Sequence, residues 1–169
     1  ADAGQLEPRV LAAVSGDDAL AAAAAEEDLY ARLAAHVGGD RERAKIGMLS
    51  AMYGQTSGDA APLLATMRRL YPRALEYVDS AARRGENGGI VRSWLGRTSP
   101  VPRGWQTSIQ GPEGERRRRA QGRFTRNFVV QATAAEWALV LLAALRRRLP
   151  PMPEGAGIVF FVHDEVVLH

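Results

Sequence analysis

Two neighbouring acids near the end of the chain, Asp164 and Glu165, are the residues whose types first suggest chemistry. Apolar residues flank them at Ile158–Val162 and Val166–Leu168, and β-branched and aromatic side chains of this kind favour strands. The two acids are therefore predicted at the tip of a hairpin or at a strand end. Carboxylate oxygens are the ligands that hard divalent cations prefer. A metal site and a solvated turn both explain the pattern at this point.

A second group of residues follows one face of a helix predicted to begin at Arg41. Arg41 and Lys45 lie on this face at helical spacing, and the face continues into apolar residues at Met48 or Leu49 and at Met52. The positive end of the helix dipole adds to the charge of Arg41. Such a face could hold a triphosphate under the two cations while a nucleobase packs on the apolar part. An amphipathic helix with its basic residues in water accounts for the same spacing.

A third pattern is a line of polar residues on a long, otherwise apolar helix. Arg123, Asn127 and Gln131 are each four residues apart, so they share one helix face. Every base pair offers N3 or O2 acceptors in the DNA minor groove, where donors on this face could check pairing geometry without reading sequence. A helix surface that faces water has the same spacing.

The composition fits one domain of 169 residues, of which 46% are hydrophobic and 24% are charged. A net charge of +3 and a sequence pI of about 9.8 mildly favour a polyanionic partner. Because the chain has no cysteine, disulfides and thiolate metal sites are excluded. No apolar run approaches about 20 residues and the N-terminus is acidic and polar, so we expect no membrane span, no signal peptide and a cytoplasmic location.

Local signals predict a mainly helical chain that ends in strands. Helices are predicted from Glu7 or Pro8 to Val14, over 28–37, 41–53, 60–71 and 74–84, and from Glu115 or Arg119 to Leu149. Asp40 is predicted to cap the helix at 41–53. A strand is predicted over 90–95, a loop over 99–114 and a hairpin at the end of the chain.

Taken together, these segments resemble the palm and fingers of a family A DNA polymerase, the bacterial DNA polymerase I family. Four motifs occur in the order of that family: Asp2-Ala3-Gly4-Gln5-Leu6-Glu7-Pro8-Arg9, Arg41-x3-Lys45-x7-Tyr53-Gly54, Arg123-x3-Asn127-x3-Gln131-Ala132-Thr133-Ala134-Ala135 and Val162-His163-Asp164-Glu165-Val166. The segment Gly89–Arg97 also resembles a hairpin of the family. Each motif alone is weak, but four in order cover nearly the whole chain.

The resemblance implies an α+β fold, in which helix-rich fingers are inserted into a truncated antiparallel palm sheet. Residues 1–17 and 89–169 would form the palm, and residues 18–88 would form the fingers. Thumb and exonuclease-like domains would lie upstream, so we expect this chain to be a fragment with an incomplete sheet edge. Such a fragment is expected to polymerise poorly or not at all without those missing domains.

The resemblance also implies a site for two Mg²⁺ ions, with Mn²⁺ as a possible substitute. Asp2 and Asp164 match the two metal-binding aspartates, and the backbone carbonyl of Ala3 is a further candidate ligand. Two ions clamp the attacking 3′-hydroxyl and the leaving pyrophosphate in an in-line displacement. Glu165 would support this site, and Lys45 would give a proton to the leaving pyrophosphate.

Matches to the family assign the nucleotide contacts as well. Arg41 and Lys45 match the triphosphate clamp, Glu7 matches the residue that blocks a ribose 2′-hydroxyl, and Tyr53 matches the aromatic residue that guards the templating position. Gln5, Arg123, Asn127, Gln131 and His163 match contacts to the primer and template.

Several positions depart from the family pattern. Leu49 replaces a usual Phe or Tyr, which keeps apolar packing but removes ring stacking on the nucleotide. Tyr30 stands where a His often contacts phosphate, and Ser50 replaces a usual Gly. Gly4 and Pro8 depart from the first motif. These differences indicate a divergent subgroup.

The predicted function is template-directed DNA synthesis, with primer–template DNA and deoxynucleoside triphosphates as partners. A catalytically silent nucleic-acid-binding module that uses Arg116–Arg126 and the following helix is the alternative, because a DNA channel and a soluble surface both favour arginine. A metal-dependent phosphohydrolase using His36, His163 and Asp164 is a further alternative, although the histidines of the chain do not cluster in sequence.

Overall fold

A computed structural model describes the chain at residues 2–55, 60–101, 103–149, 157–162 and 165–169. In these ranges the elements are α1 (Leu6–Ser15), α2 (Asp18–Ala24), α3 (Leu29–Ala34), α4 (Arg41–Tyr53), α5 (Ala60–Leu70), α6 (Pro72–Glu86), α7 (Trp105–Ser108), α8 (Gly114–Arg148), β1 (Ile158–Val162) and β2 (Glu165–Leu168). The chain is mostly helical with a small antiparallel sheet, which confirms the predicted α+β class.

Three aspartates begin three consecutive helices by accepting hydrogen bonds from backbone N–H groups. Asp17 caps α2, Asp28 caps α3 and Asp40 caps α4, each from an extended backbone conformation. The cap predicted at Asp40 is therefore confirmed. Gly54 ends α4 with φ +73°, a left-handed conformation that a residue with a Cβ atom rarely adopts.

The core lies where α6 runs along α8, with α1 and α4 packed against the same pair. Gly85 of α6 makes this approach possible, because a Cβ atom there would lie 2.1 Å from Thr125 Oγ1 of α8. Thr125 Oγ1 donates a hydrogen bond of 2.8 Å to the carbonyl of Ala81, again across the two helices. Fully buried Leu11, Leu20, Leu29, Leu33, Met48, Met52, Met67, Leu75, Val78 and Val130 fill the space around them.

The strand predicted over 90–95 is wrong. The segment forms a turn with a single bridge between Arg92 and Thr98. Side chains of α8 accept hydrogen bonds from two backbone N–H groups that would bond to a neighbouring strand in a sheet. Thr133 Oγ1 accepts from the N–H of Trp94, and the buried Glu136 accepts from that of Leu95 at 3.0 Å.

Two helix boundaries and one predicted loop also differ from their predictions. Pro72 opens α6, whereas the prediction began that helix at Ala74, because proline fits the first turn, where no N–H is needed. The predicted helix over 28–37 is shortened to α3, after which the chain turns toward Gly38 and Gly39, both with positive φ. The predicted loop over 99–114 contains α7, which buries the indole of Trp105 against Gly88.

The two strands at the end of the chain pair in antiparallel register. Val162 faces Glu165 and Phe161 faces Val166, as the predicted hairpin requires. Asp2 forms an isolated antiparallel bridge with Glu165, so the first residues of the chain lie along the start of β2. His163 and Asp164, at the predicted tip, lie outside the described residues.

The long helix α8 also meets the length and composition of a membrane-crossing helix, with a mean hydropathy of 1.8 over its most apolar window. About two fifths of that window, 39%, is buried inside the fold. Buried helices of soluble proteins also reach this length and composition, so this property is weak support for a membrane location. The expectation of no membrane span stays a prediction.

Candidate nucleotide and nucleic-acid site

A cleft of about 600 Å³ lies where α1, α3, α4, α8 and β1 approach one another. Its walls include Gln5, Glu7, Tyr30, Leu49, Gln131 and Phe161. The first five are predicted site residues, and they come from three of the four motifs or from Tyr30 between them. Phe161 was not predicted as a site residue, although it is the neighbour of the last motif in sequence. The fold therefore gathers predicted site residues that are up to 126 positions apart in the sequence, from Gln5 to Gln131.

A tyrosine at the end of α4 joins three of the predicted segments. The hydroxyl of Tyr53 donates a hydrogen bond to Glu7 Oε2 of α1. Burial, followed by the hydrogen bond and the charge of Glu7, raises the pKa of Tyr53 well above its ordinary value, and a hydrogen bond with Gln131 of α8 opposes this rise. The phenol is therefore protonated at neutral pH. Its hydrogen bond to Glu7 fixes its position relative to α1.

The first motif also anchors the loop that leads into α3. The side-chain amide of Gln5 donates to Asp28 Oδ1 at 2.9 Å and accepts from the backbone N–H of Leu29 at 2.9 Å. Arg9 donates to the carbonyls of Glu26 and Glu27. Gln5 has φ +60°, which is rare for a residue with a side chain, and its two hydrogen bonds hold it there.

Arg41, the predicted triphosphate ligand, is already paired inside the protein. Its Nε lies 2.6 Å from Asp28 Oδ2, and its Nη1 lies 3.4 Å from Glu42 Oε1. The hydrogen bond from Arg41 lowers the pKa of Asp28 to about 2. The guanidinium carbon also stands 5.6 Å from the centre of the Tyr30 ring, a cation–π arrangement.

Tyr30 forms a buried surface beneath this arginine, with 7% of its area exposed. Burial raises the pKa of Tyr30, and the negative charge of Glu7 raises it further. Lys45, one turn after Arg41, is exposed and has no ion pair or hydrogen bond among the described residues. Of the two predicted triphosphate ligands, Arg41 is therefore engaged above a buried aromatic ring, whereas Lys45 has no partner among the described residues.

The polar line on α8 is only partly exposed. Arg123 and Gln131 are exposed, and Asn127 between them is partly buried. Asn127 Oδ1 is buried without a hydrogen-bond partner in the described part of the chain. Buried acceptors are normally satisfied, so this oxygen is an exception within the described part of the fold.

Sequence reasoning placed Arg126 only in the basic run Arg116–Arg126 and missed that it connects α8 to α4 and α6. Its Nε donates to the carbonyls of Ala51 and Met52 at 3.1 Å each, and Nη1 pairs with Asp79 of α6. Burial opposes ionisation of Asp79, but hydrogen bonds from Arg126 and Arg68 keep its pKa below the ordinary value. The sequence did contain a signal for the burial of Arg126, because this residue shares a helix face with apolar positions at three- and four-residue spacing.

The proposed metal site is described only in part. Asp2 and Glu165 are bridge partners and both are exposed, with Asp2 Oδ1 accepting a hydrogen bond of 2.9 Å from Gly4 N. Asp164 adjoins Glu165 but lies outside the described residues. Within the described ranges, no cluster of three or more acidic, histidine or cysteine side chains occurs. Two carboxylate residues brought side by side fit the donor chemistry of a hard divalent cation.

The chain is an α+β protein with one cleft that Glu7 of α1, Leu49 of α4 and Gln131 of α8 line together. The family described as DNA polymerase family A matches residues 1–169, so the chain belongs to the family A DNA polymerases. It is 28% identical over 189 residues to the thermostable DNA polymerase I of Thermus filiformis, covering 99% of this chain and 22% of that protein.

Other relatives show the same coverage. The DNA polymerase I of Pseudomonas aeruginosa is 26% identical over 189 residues, covering 99% of this chain and 20% of that protein. The thermostable DNA polymerase I of Thermus thermophilus is 28% identical over 188 residues, with 22% of that protein covered. The chain thus spans about a fifth of the length of these relatives.

Proposed function

We propose that the protein containing this chain synthesises DNA on a template in the cytoplasm, adding deoxynucleotides from their triphosphates to a primer 3′-hydroxyl. The observation that carries the proposal is the cleft, in which the first motif, α4 and the polar face of α8 meet in a family A chain. In the reaction, the primer 3′-oxygen forms a bond to the α-phosphorus, and the bond to pyrophosphate breaks.

The nucleotide is proposed to lie along α4. Arg41 and Lys45 would bind the triphosphate, with Lys45 giving a proton to the leaving pyrophosphate. Leu49 lines the cleft one turn further on and would support the base and sugar through apolar contact. Glu7, held by Tyr53, would stand where a ribose 2′-hydroxyl would otherwise fit.

The metal ions are proposed to be held by Asp2 and Asp164, with the Ala3 carbonyl as a further ligand and Glu165 in support. When bound, Mg²⁺ or Mn²⁺ would activate the 3′-hydroxyl and stabilise the charge on the leaving group. The bridge between Asp2 and Glu165 supports this assignment, because it brings the first motif beside the residue that follows Asp164.

The DNA is proposed to lie against the polar face of α8. Arg123, Asn127 and Gln131 follow one line of the helix, and their guanidinium and amide N–H groups would donate to the N3 and O2 acceptors of the minor groove. Gln5 and His163 would complete the contacts to the primer and template. Because the amide of Gln5 is engaged by Asp28 and Leu29, its contact requires a change of partner.

The alternative of a silent nucleic-acid-binding module receives less support from the geometry. The basic run at the start of α8 is largely engaged within the protein, since Arg116 pairs with Glu113 and Arg119 with Glu115. Arg117 donates to the carbonyl of Ser108. His36, needed for a phosphohydrolase, lies beside acidic residues but belongs to no metal-binding cluster among the described residues.

Primer extension tests the proposal directly. We expect the protein containing this chain, supplied with Mg²⁺, to add the complementary deoxynucleotide to a primer on each of four templates that differ in the first unpaired base. As a matched comparison, the chain alone, without the remaining domains, is expected to extend the primer poorly. Binding of DNA without extension under Mg²⁺ or Mn²⁺ would favour the silent module instead.

A further inference from the structure

We propose that Asp28 is an anionic latch that holds the guanidinium of Arg41 until the triphosphate of an incoming nucleotide replaces it. This inference rests on the proposed function, since Arg41 is the proposed triphosphate ligand. It assigns a role in nucleotide affinity to a residue that the motifs leave out, because Asp28 lies 13 positions before Arg41 and outside the four segments.

The two carboxylate oxygens of Asp28 serve different partners. Oδ1 accepts from the N–H groups of Tyr30 and Ala31 at 3.0 and 3.2 Å and from the Gln5 amide at 2.9 Å. Oδ2 faces Arg41 Nε at 2.6 Å. One oxygen therefore fixes the carboxylate to the start of α3 and to the first motif, and the other is left for Arg41.

The ion pair lies where a ligand can reach it. Of the two side chains, 47% of Arg41 and 34% of Asp28 are exposed. Arg41 has several rotatable bonds, whereas Asp28 is held by its three Oδ1 hydrogen bonds, so Arg41 is the partner that moves. A triphosphate carries several charges and presents oxygens for charge-assisted hydrogen bonds, so it can compete with a single carboxylate for the guanidinium.

Two other groups lie near Arg41, but neither holds its guanidinium as Asp28 does. Glu42 approaches only at 3.4 Å and is exposed on the same first turn of α4. The ring of Tyr30 contacts the guanidinium through its face, which leaves the N–H groups available. The low pKa of Asp28, caused mainly by Arg41, keeps the carboxylate ionised at neutral pH.

Nucleotide binding without chemistry tests the latch. The sample is the protein containing this chain, bound to primer–template DNA with a dideoxy-terminated primer and titrated with the complementary deoxynucleoside triphosphate. Asp28→Asn retains a side-chain oxygen for the N–H groups of α3 but removes the charge. We expect the dissociation constant of the nucleotide to fall about two- to fivefold, the range for a partly exposed ion pair.

Asp40→Asn is the matched control. Asp40 caps α4 through Oδ1 in the same way, directly before Arg41, but it makes no ion pair with Arg41 among the described residues. Its substitution removes the same charge and keeps the same cap, so we expect little change in nucleotide affinity. This control separates release of Arg41 from a general loss of negative charge near the helix.

A double-mutant cycle with Arg41→Ala separates the latch from simple repulsion between Asp28 and the nucleotide. The latch predicts that the gain from Asp28→Asn disappears once Arg41 is absent. An equal gain in both backgrounds would overturn the latch, as would unchanged or weaker binding by Asp28→Asn. In these cases the wild-type protein still binds the nucleotide, and the proposed function stands. Failure of the wild-type complex to bind it would overturn both proposals.

Discussion

Asp2→Asn is expected to lower the rate of nucleotide addition roughly a thousandfold, the scale seen when a preorganised charge-stabilising group is lost from an active site. The carboxylate of Asp2 is proposed to hold the metal ions that stabilise charge on the reacting phosphate, and an amide is a poor substitute for a charged ligand. The affinity for primer–template DNA should persist, because Asp2 pairs with β2 and is not among the residues proposed to contact DNA. Single-turnover incorporation and fluorescence anisotropy measure the two quantities separately.

Asp18→Asn provides the matched control for this substitution. Asp18 is an exposed acid at the start of α2 and pairs only with Arg73, at 3.3 Å, among the described residues. Its substitution removes one surface charge and should leave the incorporation rate unchanged. Glu165→Gln is expected to have an intermediate effect, since Glu165 is proposed to support the site. An Asp2→Asn protein that retains the wild-type rate would exclude Asp2 as a metal ligand.

Arg126→Met is expected to lower the free energy of unfolding by about 3 kcal/mol, the lower end of the range for breaking a buried ion pair. The lower value applies because Asp79 keeps its contact with Arg68 at 2.6 Å. The side chain of Arg126 is only 8% exposed, and its loss also leaves the carbonyls of Ala51 and Met52 without this donor. Urea unfolding followed by circular dichroism measures the change.

Arg119→Met is the surface comparison for this experiment. Arg119 lies on the same helix and pairs with Glu115 at 3.0 Å, but both side chains are about two-thirds exposed, at 65% and 64%. Such a pair contributes about 0.5 kcal/mol or less, so the stability should barely change. Equal effects of the two substitutions would show that the contact of Arg126 with α4 does not stabilise the fold.

The helices were predictable because their signals are local. Asp40 before α4 and Gly54 after it mark both ends of that helix in the sequence. The prediction of a strand over 90–95 failed for the opposite reason. Thr133 and Glu136, which accept hydrogen bonds from the N–H groups of Trp94 and Leu95, lie about 40 positions away in the sequence. A periodic pattern does not show which side chain from another element will satisfy a backbone donor.

The candidate site shows the same limit. The resemblance to family A polymerases implied that Glu7 and Leu49 both lie near the nucleotide, and both line the cleft. The pairing of Arg41 with Asp28 has no sequence signal, because the sequence marks Asp28 only as the first residue of a predicted helix. Asp164 lies outside the described residues, so its proximity to Asp2 stays a prediction that the bridge to Glu165 supports.

The central claim is that Asp2 and Asp164 share the divalent ions of DNA synthesis, and counting bound Mn²⁺ by electron paramagnetic resonance tests it most directly. The sample is the protein containing this chain with a dideoxy-terminated primer–template and the matching nucleotide. We expect two bound ions in the wild-type complex, about 3.5–4 Å apart, and the loss of at least one in both Asp2→Asn and Asp164→Asn. Two ions retained at unchanged affinity in either variant would contradict the account.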